Sequence, residues 1–251
     1  MLSILYEDKD IIVVEKPVGM ESQVSGGFAP DMVSEIKKHI NRLCPTGKEP
    51  YVGVIHRLDK PVGGVMVYAK TKNAAAALSK QVQTNEVHKK YYAVVCGKPV
   101  DNVGNFVDYL LKDSGKNLSK VVEKGITGAK RAELSYIVRE VLEKDPVLSP
   151  AGPAAVDNSS APTAGPLALV EVELHTGRHH QIRVQFAGHG TPLWGDNRYN
   201  PAFQTNSSGK RYNLALFAYQ LTFRHPKTGK TMTFTAKPKG TIFQAFLSLS
   251  I

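Results

Sequence analysis

Val54-Ile-His-Arg-Leu-Asp-Lys-Pro-Val-Gly-Gly-Val-Met-Val-Tyr-Ala-Lys70 holds one acid, Asp59, flanked by the cations Arg57 and Lys60. An apolar run precedes the acid and a glycine-rich turn follows it. Val65–Lys70 then reads as a strand, and Thr71 is placed to cap an Ala-rich helix over Asn73–Gln83. This order puts the carboxylate at the mouth of a sheet, beside cations that keep it ionised. A carboxylate held in that form suits a nucleophile better than a proton donor.

Working outward, Ile4–Tyr6 and Ile11–Glu15 read as a hairpin around Glu7-Asp-Lys-Asp10, stopped at Lys16-Pro17-Val-Gly19. Met32, Val33, Ile36, Ile40 and Leu43 follow helical spacing, with Asp31 as N-cap and Pro45 and Gly47 as the stop. Downstream, strands are expected at Lys90–Cys96, Phe106–Leu110, Ala132–Val138 and Leu167–Leu174. Alternation of Ala132, Leu134, Tyr136 and Val138 predicts one half-buried face. The stretch 145–166 is rich in Ala, Pro and Ser, nearly uncharged and without apolar period, which predicts a flexible inserted surface loop.

Arg178–His189 is expected to be a short helix capped by Thr176 and ended by Gly190, with Ile182 and Phe186 on one face and Arg183 projecting elsewhere. Strands Leu214–Arg224 and Thr231–Ala236 joined by the turn 225–230, and a terminal helix over Ile242–Leu249, complete the reading. The pattern is α+β, a large mixed, mainly antiparallel sheet with flanking helices and loops, rather than alternating βαβ units. No G-x-G-x-x-G or phosphate-binding P-loop occurs, so neither a dinucleotide nor a nucleoside triphosphate is suggested.

The 251 residues are 42% hydrophobic, enough for a real core, and carry 32 Lys and Arg against 22 Asp and Glu, a net charge of +10. Such a balance favours a polyanionic partner, nucleic acid ahead of membrane, with a generic solubility charge as the rival. Cys44 and Cys96 form no metal-ligand spacing and read as two small buried apolar residues. The N-terminus lacks the basic start of a signal peptide, and no apolar run is long enough to span a bilayer, so a cytoplasmic protein is expected.

His56-Arg-Leu-Asp59, Thr176-Gly-Arg-His-His-Gln-Ile-Arg183 and Gly195-Asp196-x-x-Tyr199 follow one another along the chain. Supporting stretches are Tyr6-Glu-Asp-Lys-Asp-Ile-Ile-Val-Val-Glu-Lys-Pro-Val-Gly19, Lys89-Lys-Tyr-Tyr-Ala93 and Phe223-Arg-His-Pro226. Together they resemble the RluA-type family of RNA pseudouridine synthases. The resemblance implies a pseudouridine synthase fold around a central cleft, and a single catalytic domain over residues 1–251 without the S4 domain that many relatives carry. It implies that specific uridines in ribosomal or transfer RNA are detached at N1, turned and rejoined to ribose through C5. No cofactor or metal is implied, the partner is RNA rather than a membrane, and a monomer is the default.

By the same resemblance Asp59 is the catalytic aspartate, attacking the base or the ribose C1′. Tyr91 is the tyrosine that lies on the target base and helps remove the C5 proton, and Arg183 is the arginine that pairs with the catalytic carboxylate. Arg57 fills the gap left by the flipped nucleotide, Ile182 lies near the base, and His56, Arg178 and His180 join them as substrate-binding positions. The chemistry agrees: a uridine in a folded RNA must be flipped out, which needs a replacement stack. A nucleophile in a dry pocket needs a fixed cation, and the guanidinium fork suits a carboxylate. Lys112, Lys116, Lys120, Lys124, Lys130 and Arg131 are candidate phosphate contacts, or else a solvated face.

Two departures from the family stand out. Val62-Gly63-Gly64 occupies the place of a usual Thr-Ser-Gly, so the loop after Asp59 has to be fixed by backbone hydrogen bonds or packing. His179 stands where Thr or Ser is usual. Two other functions compete: a non-catalytic RNA-binding or ribosome-assembly factor on the same fold, and a metal-dependent hydrolase using His56, Asp59, His179 and His180. Against the latter, hydrogen-bonded structural histidines are the simpler reading, since no further carboxylate or Cys lies at useful spacing. Asp196 and Tyr199 are read as shaping a turn.

Overall fold

Four consecutive residues, Ile11 to Val14, are fully buried, which a strand achieves only with both of its faces covered. The structure is a computed structural model and describes residues 2–24, 26, 29–45, 47–147, 165–204 and 212–249. The chain begins β1 (Ser3–Glu7), β2 (Ile11–Lys16), α1 (Met32–Leu43), β3 (Gly53–Val54), β4 (Gly63–Ala69) and α2 (Lys72–Gln83). It continues with β5 (His88–Cys96), β6 (Val103–Asp113), β7 (Leu118–Val122), β8 (Lys130–Leu142), β9 (Leu167–Leu174) and α3 (Gln181–Gly188). Then come α4 (Pro201–Gln204), β10 (Leu216–Arg224), β11 (Thr231–Thr235), α5 (Thr241–Gln244) and a 3-10 turn, Leu247–Leu249. Two compact units result, one from residues 1–90 and 217–237, the other from 91–216 and 238–251.

In the first unit β2 runs antiparallel to both β1 and β4, with Val13 opposite Val67. The far side of β4 is shared by two partners. β10 runs parallel to it at Phe217–Gly63 and Ala218–Gly64, and β3 runs antiparallel at Gly53–Ala69. β11 extends the sheet antiparallel to β10. Alternate residues Ile11, Val13, Val65 and Val67 meet Ala74 and Leu78 of α2 in one apolar cluster, the period-2 face of a sheet against the stripe of a helix. Both helices start where the capping residues predict. Asp31 Oδ1 accepts the N–H of Val33 at 2.9 Å, and Thr71 Oγ1 accepts that of Ala74 at 3.2 Å.

The second unit is built on strands in the order β5-β9-β8-β6-β7. Its β9–β8, β8–β6 and β6–β7 pairs are antiparallel. Ala132, Leu134 and Tyr136 are buried in alternation as expected, but a register shift between Val138 and Glu140 ends the pattern, and Val138 is only half buried. Phe106, Tyr136 and Phe186 form an aromatic cluster with centroids 4.9–5.6 Å apart, which fixes α3 on this sheet. The mainly antiparallel, mixed architecture is the one expected.

Several local expectations are corrected. β7 is a strand that was not expected, within the stretch of exposed lysines; its turn is closed by Asp113 Oδ1 accepting the Lys116 N–H at 3.1 Å and by Asn117 in the left-handed region (φ 50°). The helix expected from Arg178 starts only at Gln181, because His180 adopts left-handed backbone (φ 54°). Thr176 does not cap it: its hydroxyl donates to Gln181 Oε1 and accepts the Glu133 N–H, both at 2.8 Å. The terminal helix is split into α5 and the 3-10 turn. Cys44 is exposed at the end of α1 rather than buried, since it is the C-cap and lies past the apolar stripe. Residues 148–164 of the expected inserted loop lie outside the described residues; at its start Asp145 is buried and accepts the Trp194 Nε1–H at 2.7 Å.

Candidate active site

Asp59 sits on the turn between β3 and β4 in the first unit, partly exposed, with its backbone carbonyl accepting the Val62 N–H at 2.9 Å. Its neighbour Leu58 is gripped at both backbone groups by one side chain. The Leu58 N–H donates to Ser22 Oγ at 3.0 Å, and Ser22 Oγ donates back to the Leu58 carbonyl at 2.8 Å. Ser22 is buried and is held in turn by Tyr68, whose hydroxyl donates to the Ser22 carbonyl at 2.9 Å. Beyond Asp59, the Lys60 carbonyl accepts the Gly19 N–H at 2.9 Å and a bond from Lys16 Nζ at 3.3 Å. Four of the peptide units around the acid are thus tied down, which fixes the backbone that carries Asp59.

Lys16 is fully buried, and its ammonium also donates to the carbonyls of Pro17 at 3.1 Å and Met20 at 2.6 Å. Burial pushes its pKa down to about 8, against the opposing pull of the Glu21 and Asp59 carboxylates. The glycines that follow are fixed by close approach. A Cβ on Gly63 would lie 3.2 Å from the Lys16 carbonyl oxygen, and one on Gly64 (φ +133°) would lie 2.2 Å from that of Ala218. Hence the chain crosses from the turn into β4 where no side chain fits at position 64.

His56 and Arg57 diverge. Arg57 is exposed, whereas the His56 ring accepts the Val67 N–H on Nε2 at 3.3 Å. Its Nδ1 is buried with no hydrogen-bond partner among the described residues. Burial, reinforced by the Lys89 cation, lowers its pKa to about 3, so the imidazole is neutral and braces β4 from the Asp59 segment.

The second unit holds the remaining residues singled out from the sequence. Tyr91 lies on β5 and Ile182 in the first turn of α3, both buried. Arg183, 3% exposed, grips Asp196 through two parallel bonds of 2.7 Å, Nε to Oδ2 and Nη2 to Oδ1. The guanidinium also lies 5.2 Å from the ring centroid of Tyr199. Asp196 Oδ1 accepts the N–H groups of Arg198 and Tyr199, so the expected turn exists and also fixes the arginine. Gly195 (φ +74°) permits this approach, because a Cβ there would lie 2.2 Å from the Asn213 carbonyl oxygen.

Tyr199 Oη accepts the Ser119 N–H at 2.9 Å and bonds His180 Nδ1 at 2.7 Å. Burial holds the His180 pKa near 3, helped by the charges of Arg183, His179, Arg198 and Lys112. A neutral ring that receives the Tyr199 proton on Nδ1 carries its own proton on Nε2. His179, stacked on His180 at 3.7 Å, bonds Ser119 Oγ at 2.9 Å and Asn117 Oδ1 at 3.1 Å. The histidine in place of the usual Thr or Ser therefore reaches the β6–β7 hairpin. Arg178 is exposed and donates from Nε to the Arg131 carbonyl at 2.9 Å. Lys112, Lys116, Lys120, Lys124, Lys130 and Arg131 are all exposed along β6, β7 and β8. Among the described residues no three His, Cys, Asp or Glu side chains gather as a metal site requires.

Sequence reasoning missed Lys16, Ser22 and Tyr68. Only the Lys-Pro at the end of β2 carried a signal, a charged residue closing an apolar strand.

Comparison with known proteins gives the class, an RNA-modifying isomerase that forms pseudouridine. Residues 10–188 match the family described as RNA pseudouridylate synthase, and the chain belongs to it. It is 33% identical over 241 residues to an uncharacterised RNA pseudouridine synthase of Aquifex aeolicus, covering 93% of this chain and 68% of that one. It is 31% identical over 242 residues to ribosomal large subunit pseudouridine synthase D of Zymomonas mobilis, covering 94% and 69%. It is 28% identical over 243 residues to tRNA pseudouridine synthase C of Yersinia pestis, covering 94% and 86%. The solved human RNA pseudouridylate synthase domain containing 4 shares the fold at TM-score 0.71 and 24% identity, over 98% of this chain and 92% of that one.

Proposed function

We infer that the chain converts specific uridines of ribosomal or transfer RNA to pseudouridine, with Asp59 as nucleophile, Tyr91 at the C5 proton and Arg183 as the buried cation. The observation that carries this reading is the double grip of Ser22 on Leu58, which fixes the residue next to the acid. A merely surface aspartate has no need of such support. Arg57, exposed beside Asp59, takes the space of the flipped nucleotide. Ile182 and His180 line the base, and Arg178 contacts the RNA. His56 acts through Val67, holding the Asp59 segment against β4. One of these relatives is named for the large ribosomal subunit and another for tRNA, which supports this substrate class.

The reading treats residues 1–251 as one catalytic domain that works as a cytoplasmic monomer without metal or cofactor. Among the described residues no helix is long and apolar enough to cross a membrane. Chemical mapping of pseudouridines in wild-type and deletion strains tests the proposal. One or a few ribosomal or transfer RNA sites should lose the modification on deletion and regain it with wild-type protein but not with Asp59→Ala. Unchanged maps, or full rescue by Asp59→Ala, would support the non-catalytic alternative instead.

A further inference from the structure

We propose that the β6–β7 hairpin is an arm that binds RNA phosphates, and that His179 is the positioning residue that holds this arm against the start of α3. The inference rests on the substrate of this chain being RNA. β7 stands last in the strand order, so among the described residues its outer edge has no strand beside it. Side chains take that place. Tyr199 Oη accepts the Ser119 N–H at 2.9 Å, and Arg198 Nη1 donates to the Asn117 carbonyl at 3.0 Å. His179 bonds the same two residues, from Nδ1 to Ser119 Oγ at 2.9 Å and from Nε2 to Asn117 Oδ1 at 3.1 Å. Further along the strand, Val121 lies so close to α3 that a Cβ on Gly188 would be 2.9 Å from its Cγ2.

An imidazole suits this task. Asn117 Oδ1 only accepts, so Nε2 carries a proton, while Nδ1 meets a hydroxyl that either donates or accepts. One ring thus bridges two residues of the hairpin whether it is neutral or charged. A Thr or Ser hydroxyl is a single group and cannot serve both partners. The segment of His179 is tied on its other side as well: Arg178 Nε donates to the Arg131 carbonyl, and Thr176 Oγ1 accepts the Glu133 N–H, both on β8. The hairpin is therefore joined to the residues that lead into Ile182 and Arg183.

What the hairpin carries is charge. Between Leu111 and Arg131 stand Lys112, Lys116, Lys120, Lys124, Lys130 and Arg131, all exposed, against the acids Asp113 and Glu123. Asp113 is engaged in the turn, where it accepts the Lys116 N–H. Strand pairing sets Lys112 opposite Ser119 and Lys120 opposite Leu111, so cations stand on both faces of the hairpin as well as at its tip. Lys112, on the face of Ser119, is near enough for its charge to disfavour a protonated His180. A solvated lysine face needs no mooring. An arm that sets phosphate positions does, because phosphate contacts fix the register and orientation of a nucleic acid on the protein.

The test is equilibrium binding of transfer RNA and of ribosomal RNA fragments, both from a strain lacking the gene, across a series of salt concentrations from about 50 to 300 mM KCl. Compared with wild type are the triple variant Lys116→Gln, Lys120→Gln, Lys124→Gln, the single variant His179→Ala, and the two combined. Lys227→Gln with Lys230→Gln, on the exposed 225–230 turn, is the control for lost charge. The triple variant should bind about tenfold more weakly, and its slope of log affinity against log salt should shrink by about 2. His179→Ala keeps every lysine, yet should bind about fivefold more weakly, with a smaller slope and faster exchange of the hairpin amides. Added to the triple variant, His179→Ala should weaken binding no further, because it acts through the arm. If His179→Ala does not fold, His179→Thr, the residue usual in the family, takes its place. A triple variant with the wild-type slope, or one matched by the charge control, overturns the arm. Unchanged affinity in the His179 variant, or additive losses in the combination, overturns the positioning role. Tritium release is read separately: its absence in wild type defeats the isomerase reading, while the binding outcomes still decide the arm.

Discussion

Arg183 and Asp196, 13 residues apart in sequence, form a two-bonded ion pair at 2.7 Å in which both side chains are almost wholly buried. The pair fixes the first turn of α3 to the turn that follows Trp194, and it sets which edge of the guanidinium is already occupied. Removing the acid strips two charge-assisted bonds from a buried guanidinium. Asp196→Ala should therefore cost about 3–5 kcal/mol of unfolding free energy, measured by urea titration. A loss under about 1 kcal/mol, the range of an exposed pair, would mean the pair is solvated in solution.

Tyr199 joins the hairpin to the same helix. Tyr199→Phe removes the acceptor of the Ser119 N–H and the donor to His180 Nδ1 while keeping the ring beside Arg183. The expected loss is about 1–3 kcal/mol, the range for an orphaned buried polar group. Freed of its neutral-state donor, His180 should titrate at higher pH in the variant, visible as a shifted imidazole proton resonance.

Gly64 and Gly195 are the two positions where a methyl group would meet a carbonyl oxygen at 2.2 Å, those of Ala218 and Asn213. Alanine at either should destabilise by more than about 3 kcal/mol, because backbone has to move and φ is positive as well. Gly229 supplies the control: it has positive φ but nothing within 4 Å, so Gly229→Ala should cost only the conformational strain, about 1–2 kcal/mol. Equal melting temperatures for Gly64→Ala and Gly229→Ala would contradict the packing argument.

Acid sensitivity should arise at the β1–β2 turn. Burial alone would raise the Glu7 pKa, but bonds from Lys70 and His39 outweigh it and lower it below the ordinary 4.5. Burial likewise opposes the lowering of Asp8, which the N–H groups of Ile11 and Asp10 and the side chains of His225 and Tyr6 bring below 3.8. A carboxylate with a depressed folded pKa stabilises fully above its unfolded value and loses that contribution as pH falls through the folded one. Stability should drop as pH falls below about 4.5, and Glu7→Gln should flatten this limb in denaturant titrations from pH 6 to 2.5. A slope unchanged in the variant would place the acid sensitivity elsewhere.

Local signals carried much of the fold. Asp31 and Thr71 cap the helices they were expected to cap, because an N-cap depends on side-chain oxygens two or three residues from their donors. The apolar periods of β2 and β4 likewise marked a buried sheet. What failed depended on distant partners. Thr176 looked like a cap, yet its hydroxyl is taken by Gln181 and Glu133, the latter 43 residues away. Lys16 read as part of the stop after a strand, since nothing near it in sequence tells that Lys60 supplies an acceptor. Asp196 read as a turn former and is one, but its role as the arginine's partner needs α3 beside it. The acid on its turn was legible; the residues that hold it there were not.

Tritium release reports whether Asp59 is the nucleophile of a uridine isomerase. Bulk RNA labelled at uridine C5, prepared from a strain lacking the gene, is incubated with wild-type protein and with Asp59→Ala. Wild type should release tritium to water while the variant, folded and binding RNA equally well, releases none. Release by Asp59→Ala at the wild-type rate would rule out Asp59 as nucleophile, and none by either protein would rule out the isomerase activity.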